Sequence, residues 1–273
     1  MTAPAHDTRR PGRAGAVVTG LTVKNLRSVV RTPISLIMSL AYPVAMYVLF
    51  ALVFRDPLPS GITYATYSLP AMVVIGLFSN CLFNLSVDVT SERQQGLLKR
   101  LALLPCPASA YLVAKIISAA VLATVCTLVL LLTGALVLSV PLPTSLAAWG
   151  LIVVTSLLTT AYCAAIGIAV GRTLGSAQAT LGVVLPVFMV VPFVSGIFLP
   201  LSLLPGWLVT AASVLPLRWS AQLLRHGFLP DSMAAVEPSG GWQTGTGLAV
   251  VCAWVVIGVV WAVVATRRDT FDR

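Results

Sequence analysis

The stretch IISAAVLATVCTLVLLLTGALVLSVPLPTSLAAWGLIVVTSLLTTAYCAAIGIAVG, residues 116–171, contains no Asp, Glu, Lys, Arg or His. A hydrocarbon core of roughly 30 Å asks for such runs, at about 20 residues of helix per crossing. The one break is LSVPLPTS, residues 138–145, where Pro141 and Pro143 withhold backbone donors and oppose a continuous helix. Two crossings joined by a short hairpin follow.

The same reading extends outward along the chain. Apolar runs near 33–54, 66–87, 112–138, 147–170, 178–199 and 247–266 predict six transmembrane helices. Lys115, at the start of the third run, is counted with the loop before it, so the spans are read as free of ionisable side chains. Of the 273 residues, 58% are hydrophobic and 9% charged, against about 25% charged in a soluble domain. The expected fold class is an all-α membrane protein with little mass outside the bilayer.

Lys and Arg in short loops stay on the cytoplasmic side. With the N-terminus inside, fourteen of the seventeen basic residues fall on that side, and Arg55, Arg218 and Arg225 remain outside. Both termini are therefore expected in the cytoplasm. Tyr64, Trp149, Trp207, Trp219 and Trp242 fall at or beyond the outer ends, where an amphipathic ring suits the headgroup level. The net charge of +9 belongs to residues flanking apolar blocks, not to a soluble basic face, so no nucleic acid is expected. Five scattered cysteines lack metal or redox spacing and read as small hydrophobes.

Residues 1–16, rich in Pro, Gly and Arg, read as a disordered cytoplasmic tail. In VVTGLTVKNLRSVVR (17–31), steps of three and four put Lys24, Arg27 and Arg31 on one helical face, with Val18, Leu21, Leu26, Val29 and Val30 opposite. Such a helix would lie in the inner interface, bases toward water or anionic lipid. Between spans 2 and 3, Ser91 with Gln94 fits a capping box, Leu97, Leu101 and Leu104 recur at helical spacing, and Pro105 with Pro107 would stop the helix. A cytoplasmic helix with an apolar stripe needs something to bury it: lipid, the protein's own spans or a partner. After span 5, Pro192, Pro200, Pro205 and Pro216 break an apolar region into short helices dipping into the outer leaflet, with Gly196 and Trp207 among them.

What is absent narrows the function. None of Lys24, Lys99 and Lys115 sits in a phosphate-binding GxxxxGK loop. The two histidines, His6 and His226, form no HExxH and pair with no intramembrane nucleophile, so neither catalysis nor a metal site is expected. Ion-coupled carriers keep charged relays within their spans. With the spans read as empty, Asp88 and Glu92 at the inner boundary are assigned to capping or partner contact, and the energy must come from another polypeptide. A non-transporting membrane scaffold and a proton-coupled carrier are the competing readings.

The segment SERQQGLLKRLALLPCPASAYLVAKII (91–117) resembles the signature between spans 2 and 3 of type-2 ABC exporter permeases, the ABC-2 type family. Glu92, Gly96, Leu101, Pro105 and Lys115 occupy its acidic, Gly, Leu, Pro and Lys places; Leu97 departs from the Thr that many members carry. NLRSVVRTPISL (25–36) and SGIFLPLSLLPGWLVTAASVLPLRWSAQLLR (195–225) resemble that family too, especially its daunorubicin and multidrug-resistance branch. The resemblance implies that residues 17–273 are one ABC-2 transmembrane domain in a bacterial inner membrane. It implies a permease dimer and a separate ATPase that carries ATP and Mg, no cofactor being bound by this chain. It also implies ATPase-coupling roles for Ser91, Glu92, Arg93, Gln94, Gln95, Gly96, Leu97, Lys99, Arg100, Leu101 and Leu104.

Overall fold

A computed structural model describes residues 11–31, 33–55, 61–96, 108–198, 205–237 and 240–271. Every regular element among them is helical: α1 (Pro11–Arg31), α2 (Pro33–Val53), α3 (Tyr64–Phe78), a π turn (Ser79–Asn84), α4 (Leu85–Gln94), α5 (Ala108–Leu136), α6 (Leu146–Thr173), α7 (Ala177–Val194), α8 (Gly206–Ala212), α9 (Pro216–Phe228), a 3-10 turn (Asp231–Val236) and α10 (Thr244–Phe271). Five stretches are long and apolar enough to cross a membrane: Tyr64–Gln94, Ala110–Leu136, Leu146–Thr173, Ala177–Val194 and Thr244–Arg267. They fall on the second to sixth expected spans. The first falls on α2, where Ser39–Val53 is a shorter apolar helix.

Helix ends follow local chemistry. Thr63 caps α3 by accepting from Thr66 N–H at 3.3 Å, and Ser176 caps α7 through Ala179 N–H at 3.1 Å. Pro216 opens α9, where its missing donor costs nothing. For the same reason α1 can begin at Pro11, so the helix reaches into the stretch expected as a tail. At the expected hairpin α5 stops at Leu136, Ser139 turns the chain with φ 53°, and Trp149 Nε1 donates to Pro143 O at 2.9 Å.

Helix α6 is the hub of the bundle and packs against α3, α4, α5, α9 and α10. Its close approach to the π turn and α4 depends on Gly167 and Gly171, one small residue per turn. A Cβ at Gly167 would lie 2.7 Å from Cys81 O, and one at Gly171 would lie 2.7 Å from Ser86 O. This is the small-xxx-small logic of helix contact in lipid, where apolar burial alone gives no driving force between helices. Exposure follows the same layout. The α3–α4 span is 78% buried, whereas α7 and α10 are 22% buried, so the latter two turn apolar faces outward.

Candidate functional site

The α3–α4 unit is 31 residues long, about 45 Å at 1.5 Å per residue, and it connects two clusters of charge. At one end Asp88 and Glu92 sit one turn apart on α4. Lys115 on α5, 3% exposed, pairs with Asp88 Oδ2 and lies 3.0 Å from Glu92 Oε1. Tyr111, one turn before Lys115, donates to Glu92 Oε2 at 2.6 Å, and the Arg172 guanidinium stands 5.7 Å from the Tyr111 ring centre. The expectation of spans free of ionisable groups is therefore corrected: Lys115 is a buried part of α5, tolerated because two carboxylates pay for its desolvation.

The end of α4 is fastened to the α6–α7 connection. Arg93 Nη1 donates to Arg172 O at 2.6 Å and Leu174 O at 3.3 Å, satisfying carbonyls where α6 stops. Thr90 Oγ1 lies 3.1 Å from Gly171 O and 2.9 Å from Thr180 Oγ1. Ala177 N–H, in the first turn of α7, donates to Gln94 Oε1 at 3.3 Å. Residues 90–94 thus hold the end of one span and the start of the next.

Ser91 and Gln94 do not open a new helix, correcting the capping-box reading. The helix runs on from Leu85 to Gln94, and it closes on Gly96, whose φ of 70° suits glycine. Gln95 lies in that turn; Leu97, Lys99, Arg100, Leu101 and Leu104 lie outside the described residues. On α1, Lys24, Arg27 and Arg31 are exposed together, as the spacing predicts, while Thr22 is buried and Leu21, Leu26 and Val29 are half-buried. Val30 departs from its expected face and is 67% exposed. The helix packs on α5 and α2.

A cavity of about 360 Å³ opens between α1, the π turn, α4 and α5. Its polar wall includes Asn25, Ser28, Asn84, Asp88, Glu92 and Lys115. The π turn beside it, a local widening that often accompanies function, is held by Asn80, whose Nδ2 donates to Gly76 O at 2.9 Å.

At the other end Arg225 of α9 is completely buried. Its Nε donates to Glu237 Oε1 at 2.8 Å, its Nη1 reaches Gly196 O at 3.4 Å, and its guanidinium covers the Tyr67 ring at 5.2 Å. Burial works against this charge, but Glu237, Tyr67 and Tyr64 outweigh it and raise the guanidinium pKa. Arg218, also buried, binds Val209 O at 3.1 Å and Ser213 Oγ, which ties α9 to α8. Both arginines are buried within the helical region that follows α7. Of the expected post-span-5 residues, Gly196 ends α7 with φ 69°, Pro205 precedes α8, Trp207 is 72% exposed, Pro216 starts α9, and Pro200 lies outside the described residues.

Sequence reasoning missed three pairings that were partly signalled: Asp88 with Glu92 and Tyr111 with Lys115, each at a spacing of four, and the GIAVG motif from Gly167 to Gly171. Nothing local signalled Arg225 with Glu237.

A helical bundle crossing the membrane, with a charged base tied to two of its spans and no catalytic constellation among the described residues, defines a multi-pass membrane component. The profile of the ABC-2 type transporter family matches residues 17–229, from α1 through α9. The chain belongs to that family. It is therefore the membrane component of an ABC transporter, a class that works with an ABC ATPase. A comparison with curated proteins finds no match.

Proposed function

We propose that this chain is the permease subunit of an ATP-driven exporter, moving a hydrophobic or amphipathic cargo, drug-like, antibiotic or lipidic, out across a bacterial cytoplasmic membrane. In this reading α2 supplies a sixth span, both termini are cytoplasmic, two permease copies pair, and a separate ATPase docks at the Glu92 end on residues 91–104 and α1. One observation carries the reading: the last turn of α4 is bonded to the α6–α7 connection through Thr90, Arg93 and Gln94. A push applied there reaches the spans of α4, α6 and α7 together, and it needs no energy source within the chain.

The daunorubicin and multidrug-resistance branch is part of the proposal and rests on the resemblance of residues 91–117 and 195–225. ATP-driven export by vesicles holding the permease with an ABC ATPase that co-purifies with it from native membrane tests the whole. Glu92→Ala and Gly96→Pro should each lower export at least tenfold while the protein still inserts; unchanged transport would refute the coupling role. The buried Lys115 cluster supplies the ionisable groups a proton-coupled carrier would need. Transport that survives ATP depletion but collapses with the proton gradient would select that reading instead.

A further inference from the structure

The cavity beneath α1 has a charge and hydrogen-bond balance that the coupling role does not use. Its charged lining residues are Asp88, Glu92 and Lys115, a net of one negative charge. Glu92 is saturated, one oxygen taking Lys115 and the other Tyr111. Asp88 gives Oδ2 to Lys115, is 55% exposed, and its Oδ1 receives no hydrogen bond among the described residues. The excess negative charge is shared by the two carboxylates, of which Asp88 is the exposed one.

One turn earlier, a chain of amides orients Asn84. Gly76 O can only accept, so Asn80 turns Nδ2 toward it at 2.9 Å and leaves Oδ1 for Asn84. Asn84 must then offer Nδ2, which it does at 3.4 Å, and its own Oδ1 receives no hydrogen bond among the described residues. Asn84 and Asp88 lie on one face at a spacing of four and both line the cavity. Beside these acceptors the wall turns apolar, with Phe83, Val87, Leu122 and Leu181. A volume of about 360 Å³ lies within the range of small-molecule sites, roughly 300–1,000 Å³.

We propose that this cavity binds an alkylammonium head carried on an apolar body, the ammonium donating to Asp88 and Asn84 and the body lying against Phe83, Leu122 and Leu181. An anion would meet two carboxylates, and a neutral chain would leave the two acceptors unmatched. The ligand is either cargo drawn from the membrane or a resident lipid with a primary-amine headgroup. That it is cargo rests on the exporter reading; that it binds does not.

The test uses the full-length permease in phosphatidylglycerol nanodiscs, photolabelled with a diazirine-bearing decylamine and with the matching decanol, the labelled peptides being mapped by mass spectrometry. The amine should label the peptides around Phe83, Leu122 or Leu181 saturably, at a concentration at least tenfold lower than the alcohol. Asp88→Asn should raise the amine's half-labelling concentration tenfold or more and leave the alcohol's unchanged. Asn84→Leu, which spares the Asp88–Lys115 pair, should raise it severalfold and serves if Asp88→Asn does not fold. Equal labelling by amine and alcohol, or an amine response unmoved by the variants that fold, would overturn the proposal. Adding phosphatidylethanolamine separates the sources: competition assigns the site to lipid, its absence to cargo. No ATP is present, so failed labelling would leave the exporter reading standing, and failed ATP-driven export would leave a positive labelling result intact.

Discussion

The two ends of the α3–α4 unit each hold a buried base against carboxylate, but in opposite surroundings. At the Arg225 end the pair is sealed, with Arg225 0% and Glu237 4% exposed, and both partners come from the stretch after α7. At the Glu92 end Asp88 is 55% exposed, a cavity adjoins the cluster, and the partners come from different spans. A sealed ion pair cannot separate without stranding a charge in a low-dielectric site, which costs about 3–5 kcal/mol. At the Glu92 end only Asp88 faces water, so it can exchange partners at little cost while the buried Lys115 keeps Glu92. The Arg225 end is built as a fixed anchor and the Glu92 end as a joint.

The largest effect should come from breaking the anchor. Arg225→Ala leaves Glu237 buried without its cation and should destabilise the protein by about 3–5 kcal/mol, read as lost monodisperse protein or a lower melting temperature in detergent. Arg225→Met with Glu237→Leu should recover most of that stability; a double variant as unstable as the single would show the pair to be more than a sealed anchor. Next comes Gly171→Leu, whose side chain must displace Ser86 O and Val89. Overpacking of this kind costs about 1–3 kcal/mol, and Gly175→Leu, with open space around it, is the control in the same melting assay.

The joint should behave in reverse, with small stability effects and large functional ones. Arg93→Ala removes the bonds to Arg172 O and Leu174 O but exposes the carbonyls to water, so the melting temperature should move by no more than about 1 kcal/mol equivalent. ATP-driven export should fall at least tenfold while ATPase co-purification persists. Glu92→Gln keeps an acceptor for Tyr111 and leaves Lys115 paired with Asp88, so the protein should still fold while export falls severalfold. If Arg93→Ala unfolds the protein as Arg225→Ala does, the contrast between anchor and joint is wrong.

The second to sixth expected spans were legible because their signal is local: lipid selects apolar runs of fixed length whatever the neighbours are, and Pro141 and Pro143 mark the hairpin by backbone chemistry alone. The exposed basic face of α1 was legible for the same reason, since 3.6-residue periodicity is carried by the segment itself. Lys115 was misplaced because a hydropathy reading prices a lysine as if it were alone, and only the fold brings Asp88, Glu92 and Tyr111 to it. The capping box at Ser91 and Gln94 failed because those residues sit inside a helix that α6 and α7 hold in place.

Sequence by itself determined that this is an ABC-2 type membrane protein with helices in the expected order, since hydrophobic length and motif order are properties of the chain. Tertiary structure decided which charges are anchored, which remain free to move, and where a polar cavity opens. A charge in a membrane protein takes its meaning from its partners and its access to water, and both are set by helices distant in sequence.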